Sequence, residues 1–205
     1  MLFRSDEAEK FYKRAIELSG DNPAELTDPR NGLGVTYYQQ ERLDDAAEEL
    51  KTAIKLNPKY WFPLDNLGLV RLRRKQLDKA KLEFETAIKL NQKFHNFYLH
   101  LGYVLALKGD QVEARKQWQH ASEINKGKSP SDRMYRPLYQ VALGDGPGGV
   151  AEMQKVLEEL KPPLGLVRSL LDESDLLAKS PAAPAKAAEL YQLLRAAEEK
   201  LKTQL

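Results

Sequence analysis

Apolar residues in the middle of the chain recur at helical spacing. Leu64, Leu67 and Leu72, with Gly68 and Arg71 among them, mark one helix face, and Leu77, Ala80, Phe84, Ala87 and Ile88 mark another. Polar residues fill the intervening positions, so each stripe predicts an amphipathic helix with one buried side. The same pair of stripes occurs once before and once after, at one constant interval. Leu33-Gly34 aligns with Leu67-Gly68 and Leu101-Gly102, Ala46 with Ala80 and Ala114, Leu50 with Phe84 and Trp118, and Ala53 with Ala87 and Ala121. The block Thr-Ala-Ile-Lys-Leu-Asn closes both 33–57 and 67–91. A fixed period of this length predicts one helix pair per unit, stacked so that neighbours complete a core that no pair buries alone.

The turn residues agree with that division. Asn57-Pro58 closes one unit because proline cannot continue a helix. Pro63, aligned with Pro29, stands near the start of the next first helix, where a missing N–H costs nothing. Gly109-Asp110 turns the chain between the two helices of the third unit. Gly34, Gly68 and Gly102 are expected to let each first helix approach Ala46, Ala80 and Ala114 of its partner. Leu50, Phe84 and Trp118 are expected to fill the space toward the next pair.

This pattern of Leu-Gly, aromatic, alanine, large residue, alanine and proline resembles the tetratricopeptide repeat (TPR). Leu33, Gly34, Tyr37, Ala46, Leu50, Ala53 and Pro58 satisfy it. The second copy departs at Arg71 and Gln92, and the third at Leu105 and Lys126. The resemblance implies an all-α, right-handed superhelical solenoid of antiparallel helix pairs, with full repeats over 27–126 (27–60, 61–94 and 95–126). Residues 1–22 read as a partial repeat, because Ala8, Tyr12 and Ala15 look like a second helix without its first. That reading suggests a chain that begins inside a longer array, with a natural short cap as the alternative. Residues 127–160 read as a degenerate repeat: GKSPSD as a linker or turn, 134–145 as its first helix, GPGG (146–149) as a loosened loop and 150–160 as the second helix. Residues 161–205 supply two C-terminal helices, expected at 164–178 and 184–203 and separated by SPAAP (180–184). The last carries Ala187, Leu190, Leu194, Ala197 and Leu201 on one stripe. Capping of the stack is the leading expectation for this tail, and a coiled-coil or partner-binding helix is the rival.

Charge narrows the partners. The 205 residues hold 32 basic and 30 acidic side chains, a net charge of +2, which gives little drive toward nucleic acid or an anionic membrane. Mean hydropathy is −0.58, and no apolar run is long enough to cross a bilayer, so the chain reads as soluble, without membrane insertion. It reads as cytoplasmic by default, or as extracytoplasmic if a signal or anchor lies upstream. The absence of cysteine excludes disulfides, thiolate metal sites and thiol nucleophiles. Arg71–Lys75 (RLRRK) reads as a solvated helix end, where cations suit the macrodipole.

Candidate chemistry is sparse. His95, His100 and His120 form no HExxH motif, and no P-loop, Rossmann glycine pattern or GxSxG occurs. Paired glutamates such as Glu48-Glu49 and Glu158-Glu159 read as solvated faces. No enzyme, metal or cofactor is expected.

The TPR resemblance implies a concave surface lined by first helices and holding an extended peptide or partner helix. The inward positions would be Asp28, Asn31, Val35, Tyr38 and Gln39, then Phe62, Asp65, Asn66, Leu69 and Arg73, then Asn96, Leu99, His100, Tyr103 and Leu107. From these, Asn31, Tyr38, Phe62, Asn66, Leu69, Arg73, Asn96, His100 and Tyr103 are the candidate binding residues. The asparagines can each present a donor and an acceptor to a peptide backbone, and Arg73 can pair with a carboxylate. The alternative is that the apolar members pack against neighbouring helices or the tail. One TPR subset grips a terminal carboxylate with lysines, asparagines and an arginine. Only Asn66 matches that clamp here, since Asn31, Val35, Asn96 and His100 stand where it wants Lys, Asn, Lys and Arg. The implied function is a non-catalytic protein-interaction scaffold for a peptide or protein ligand. The alternatives are self-association into a homo-oligomer through the last helix, and a docking or regulatory domain of a larger enzyme.

Overall fold

The computed structural model describes residues 2–127, 129–160, 162–179 and 187–203, and among them the secondary structure is eleven helices with no strand. The chain divides into two compact units, Met1–Lys93 and Phe94–Leu205. The first holds α1 (Leu2–Ser19), α2 (Pro23–Gln39), α3 (Leu43–Leu56), α4 (Phe62–Arg73) and α5 (Leu77–Leu90). The second holds α6 (His95–Leu107), α7 (Gln111–Ile124), α8 (Pro130–Leu143), α9 (Gly146–Leu160), α10 (Leu164–Lys179) and α11 (Ala187–Lys202). Consecutive helices pack as the pairs α2/α3, α4/α5, α6/α7, α8/α9 and α10/α11, and α1 packs on α2.

One turn geometry joins the helices of the four pairs α2/α3, α4/α5, α6/α7 and α8/α9. The N–H of Arg42, Gln76, Asp110 and Asp145 donates to the carbonyl five residues back, on Tyr37, Arg71, Leu105 and Gln140, at 2.8–2.9 Å. This Schellman closure requires a left-handed residue just before the donor. Glu41 (φ +59°), Lys75 (φ +57°), Gly109 (φ +89°) and Gly144 (φ +109°) fill that position. Asp110 and Asp145 then cap the following helix, each side chain accepting from a backbone N–H, of Glu113 at 3.1 Å and of Gly148 at 3.0 Å.

The helix pairs interlock glycine against large side chain. A Cβ on Gly34 would stand 2.7 Å from Leu50 Cγ, and those on Gly68 and Gly102 would run into the rings of Phe84 and Trp118. Leu50, Phe84 and Trp118 therefore pack within their own pairs, and Leu50 also shares a buried cluster with Leu67 and Val70 of the next pair. Each is seated on the glycine of its own pair, and each is buried. The Trp118 indole N–H donates to the Leu99 carbonyl at 3.2 Å, so the largest of them leaves no polar group unmet.

Two loop expectations are corrected in the second unit. The GKSPSD stretch is in part a helix start: Ser129 and Asp132 form a reciprocal capping box, and Pro130 occupies the first turn of α8. GPGG is likewise the first turn of α9. Pro147 sits where its N–H would be unsatisfied in any case, and Gly149 lets α9 touch α8, since a Cβ there would lie 2.7 Å from the Pro137 carbonyl oxygen. The tail forms α10 and α11, close to the expected spans, while the SPAAP separator lies outside the described residues. Arg168 near the start of α10 bonds Glu198 near the end of α11 at 3.0 Å, so the two run antiparallel. Helix α10 packs on α8, and α11 packs on α9.

Candidate interaction surface

In the first unit, α2 and α4 lie side by side and bring several expected residues together. Asn31 and Asn66 are half-buried, and Asn66 Nδ2 donates to Asn31 Oδ1 at 2.9 Å. The bond uses one donor of Asn66 and one lone pair of Asn31, which leaves the Asn31 amide and the Asn66 carbonyl oxygen to address a ligand. Two turns further along α4, the Arg73 guanidinium stands 5.4 Å from the centre of the Tyr38 ring and 2.7 Å from Glu41 Oε1. Glu41 occupies the left-handed turn position after α2, so the α2–α3 turn delivers an acid to the rim of this face. That pair is largely exposed on the Glu41 side and so contributes little to stability. Leu69 and Val35 are half-buried.

At the start of α4 the chain presents three aromatics in a row. Phe62 is exposed and stacks on Trp61 with centroids 3.6 Å apart, and Tyr60 meets Phe62 edge-on at 5.4 Å. Burial, and after it a hydrogen bond to Asp28 and the charge of Asp28, push the Tyr60 hydroxyl up to about 12. Asp28 and Gln39 are exposed, whereas Asp65 is buried.

The second unit differs. Asn96 and Leu107 are half-buried, but Leu99, His100 and Tyr103 are wholly buried, so His100 and Tyr103 do not line an open groove. The reason is α10. His100 Nε2 lies 2.7 Å from Glu173 Oε1, with both side chains 5% exposed or less. The Ser169 hydroxyl, one turn before Glu173, meets the Tyr135 hydroxyl of α8 at 3.4 Å. Burial, then the charge of Glu173, holds the Tyr103 hydroxyl well above its ordinary range. At the other end of α6, His95 Nδ1 lies 2.5 Å from the Tyr139 hydroxyl, and its Nε2 lies 3.6 Å from Asp132 Oδ1. Burial lowers the His95 pKa below the ordinary 6.5, and the opposing pull of Asp132 does not cancel it.

Sequence reasoning missed Glu41, Ser169 and Glu173. The signal for the tail was present: Glu173 stands between Leu170 and Leu177 on the apolar stripe of α10, an acid where a helix normally keeps leucine. The stripe of α11 is spent inside the chain, with Ala187, Leu190 and Leu194 buried. Among the described residues, no cluster of His, Asp and Glu is arranged to hold a metal ion, and no helix is long and apolar enough to cross a membrane.

Models of the tetratricopeptide repeat family match residues 29–60 and 66–130. A search of curated protein sequences gave no match. Solved structures of similar fold include TTC0263, a thermophilic TPR protein of Thermus thermophilus, at 23% identity over 86% of this chain and 92% of that one, with a TM-score of 0.62. The Yersinia enterocolitica type III secretion translocator chaperone SycD matches at 19% identity over 63% of this chain and 95% of its own, TM-score 0.56. SycD in complex with a peptide of the translocator YopD matches at 19% identity, covering 63% and 90%, TM-score 0.51. The family models fall on the helix pairs whose glycine seats and Schellman turns recur at one constant interval, and residues 29–60 and 66–130 of the chain are tetratricopeptide repeats.

Proposed function

We propose that the chain is a non-catalytic interaction protein and that the face shared by α2 and α4 in the first unit holds an extended peptide. The observation that carries this reading is the Asn66–Asn31 bond on a half-exposed face, flanked along α4 by Phe62 at one end and Arg73 at the other. The paired amides keep one donor and one acceptor directed outward, the complement of a peptide group. Phe62 and Leu69 offer apolar contact, Tyr38 adds an aromatic face, and Arg73 can exchange the exposed Glu41 for a carboxylate on the ligand. The same fold holds a YopD peptide in SycD.

The test is selection of linear peptides from a displayed random library on the immobilised wild-type chain, followed by affinity measurement on the Asn66→Ala and Arg73→Ala variants. Each substitution is expected to weaken the selected peptides by about 1–3 kcal/mol, because a buried polar partner is left unmet. The Arg73 contribution should shrink as salt is raised. Selected peptides that bind the double variant, shown folded by circular dichroism, as tightly as wild type would place the binding face elsewhere.

A further inference from the structure

Contacts at both ends and in the middle fix the register of α2 against α4. The Tyr60 hydroxyl, just before α4, bonds Asp28 of α2. Asn66 bonds Asn31 at 2.9 Å, and the Arg73 guanidinium stands 5.4 Å from the centre of the Tyr38 ring. The two helices therefore run in the same direction, and their shared face has a charge order. An acid with aromatic rings opens it, the paired amides follow, and a guanidinium closes it.

The acidic end has the chemistry of a cation site. Asp28 is exposed, and the single bond from Tyr60 leaves its carboxylate free to accept more. Arg30, the nearest base along α2, is paired at 2.7 Å with Glu49 of α3 rather than with Asp28. Phe62 is 40% exposed, and contacts with Tyr60 and Trp61 hold its ring in place. A carboxylate beside a fixed, exposed ring suits Lys or Arg, because the charge meets the acid while the stem or the guanidinium plane lies on the ring.

We propose that this face selects an extended peptide in which a basic residue stands about four or five residues from an acidic one, the base seated on Asp28 and Phe62 and the acid on Arg73. The inference rests on the peptide face proposed above and adds the charge pattern of its ligand. Phe62 and Arg73 bound the twelve residues of α4, a span of about 16 Å at the helical rise per residue. An extended peptide rises about 3.3 Å per residue, so the span takes about five residues, and a spacing of about four puts both side chains on one side of the strand. A peptide with acids at both positions sets one against Asp28, and a peptide with bases at both sets one against Arg73, so like charge penalises each. A terminal carboxylate alone satisfies only the Arg73 end.

The probe is a displayed library of random linear peptides, panned in parallel on the wild-type chain and on Asp28→Lys. Peptides from the wild type are expected to combine Lys or Arg with Asp or Glu at the stated spacing, and those from Asp28→Lys to carry acids at both positions. One peptide selected on the wild type is then synthesised with a fluorescein label and read by anisotropy. Replacing its base by Glu should weaken binding to the wild type by about fivefold or more, since an attraction becomes a repulsion. The replaced peptide should bind Asp28→Lys more tightly than the parent peptide does. Phe62→Ala should weaken the parent peptide by about threefold. If Asp28→Lys does not fold, Asp28→Asn takes its place and should abolish the enrichment of Lys and Arg. Selected peptides without that enrichment on the wild type, or with the same enrichment on the Asp28 variant, would overturn the charge pattern and leave a peptide face in place. A wild-type chain that enriches no peptide would overturn both.

Discussion

Single positions in this chain differ in how much strain they carry, and the repeat makes the comparison internal. Glu41, Lys75 and Gly109 occupy the same left-handed turn position in three successive pairs. A side chain there costs about 1–2 kcal/mol that glycine avoids, partly offset by the greater entropy glycine loses on folding. Lys75 is exposed and solvated, so Lys75→Gly is expected to stabilise by about 0.5–1 kcal/mol in urea titration, whereas Gly109→Ala should destabilise by a similar amount or more. A Lys75→Gly protein less stable than wild type would mean that the lysine makes a contact worth more than the strain. His95 supplies a pH-dependent term at the same scale. Its folded pKa is lowered by burial, so between that value and 6.5 the unfolded chain binds more protons than the folded one. The resulting stability is present above pH 6.5 and is lost as the pH falls through the folded value. The melting temperature should therefore drop between about pH 7.5 and 5.5, and His95→Gln should flatten that slope.

At the scale of helices, two glycines of the second unit should answer the same substitution with opposite sign. A Cβ on Gly149 would meet Val141 Cγ2 at 2.6 Å and the Pro137 carbonyl oxygen at 2.7 Å, and backbone cannot step aside as a side-chain tip can. Gly149→Ala is expected to cost about 1–3 kcal/mol. Gly165 in α10 has nothing within 4 Å of its would-be Cβ, so Gly165→Ala should gain about 0.4–1 kcal/mol from the unfolded state. Paired melts of the two variants check both signs, and two equal results would contradict the close α8–α9 approach. These positions also show what the sequence could reveal. The repeat period makes α2 to α7 legible because each helix has two aligned copies to vote on its stripe. It does not reach GPGG, where glycine reads as a loop unless the partner carbonyl is known, nor SPSD, whose proline and serines read as a turn although their spacing to Asp132 is that of a capping box. At the candidate site, Asn31, Tyr38, Asn66 and Arg73 are positions that the family resemblance implies. Their mutual contacts, and the burial of His100 and Tyr103, depend on which helix lies opposite. For His100 and Tyr103 that information sits far along the chain, in α10.

At the scale of the whole molecule, α10 packs on α8 and α11 on α9, and deletion of 184–205 measures what the last of these helices contributes. The deletion removes Leu190 and Leu194, both fully buried, along with Ala187. Full burial of a leucine is worth about 1.5–3 kcal/mol, so the two leucines alone account for a large fraction of an ordinary domain's net stability. The deletion also takes away Glu198. Burial raises the Glu198 carboxyl, but the hydrogen bonds from Arg168 and Lys202 outweigh burial and leave it lowered. Its stabilising contribution is therefore present above the ordinary carboxylate range and lost as pH falls through the folded value. The truncated chain should melt several degrees lower at pH 7 and lose less than wild type on acidification below about pH 5. It should also expose the apolar sides of α9 and α10 and self-associate at concentrations where the full chain does not, as light scattering would show. A truncated chain that stayed monomeric and melted unchanged would show that α11 contributes nothing to the stack, and would return it to the role of a helix held for a partner.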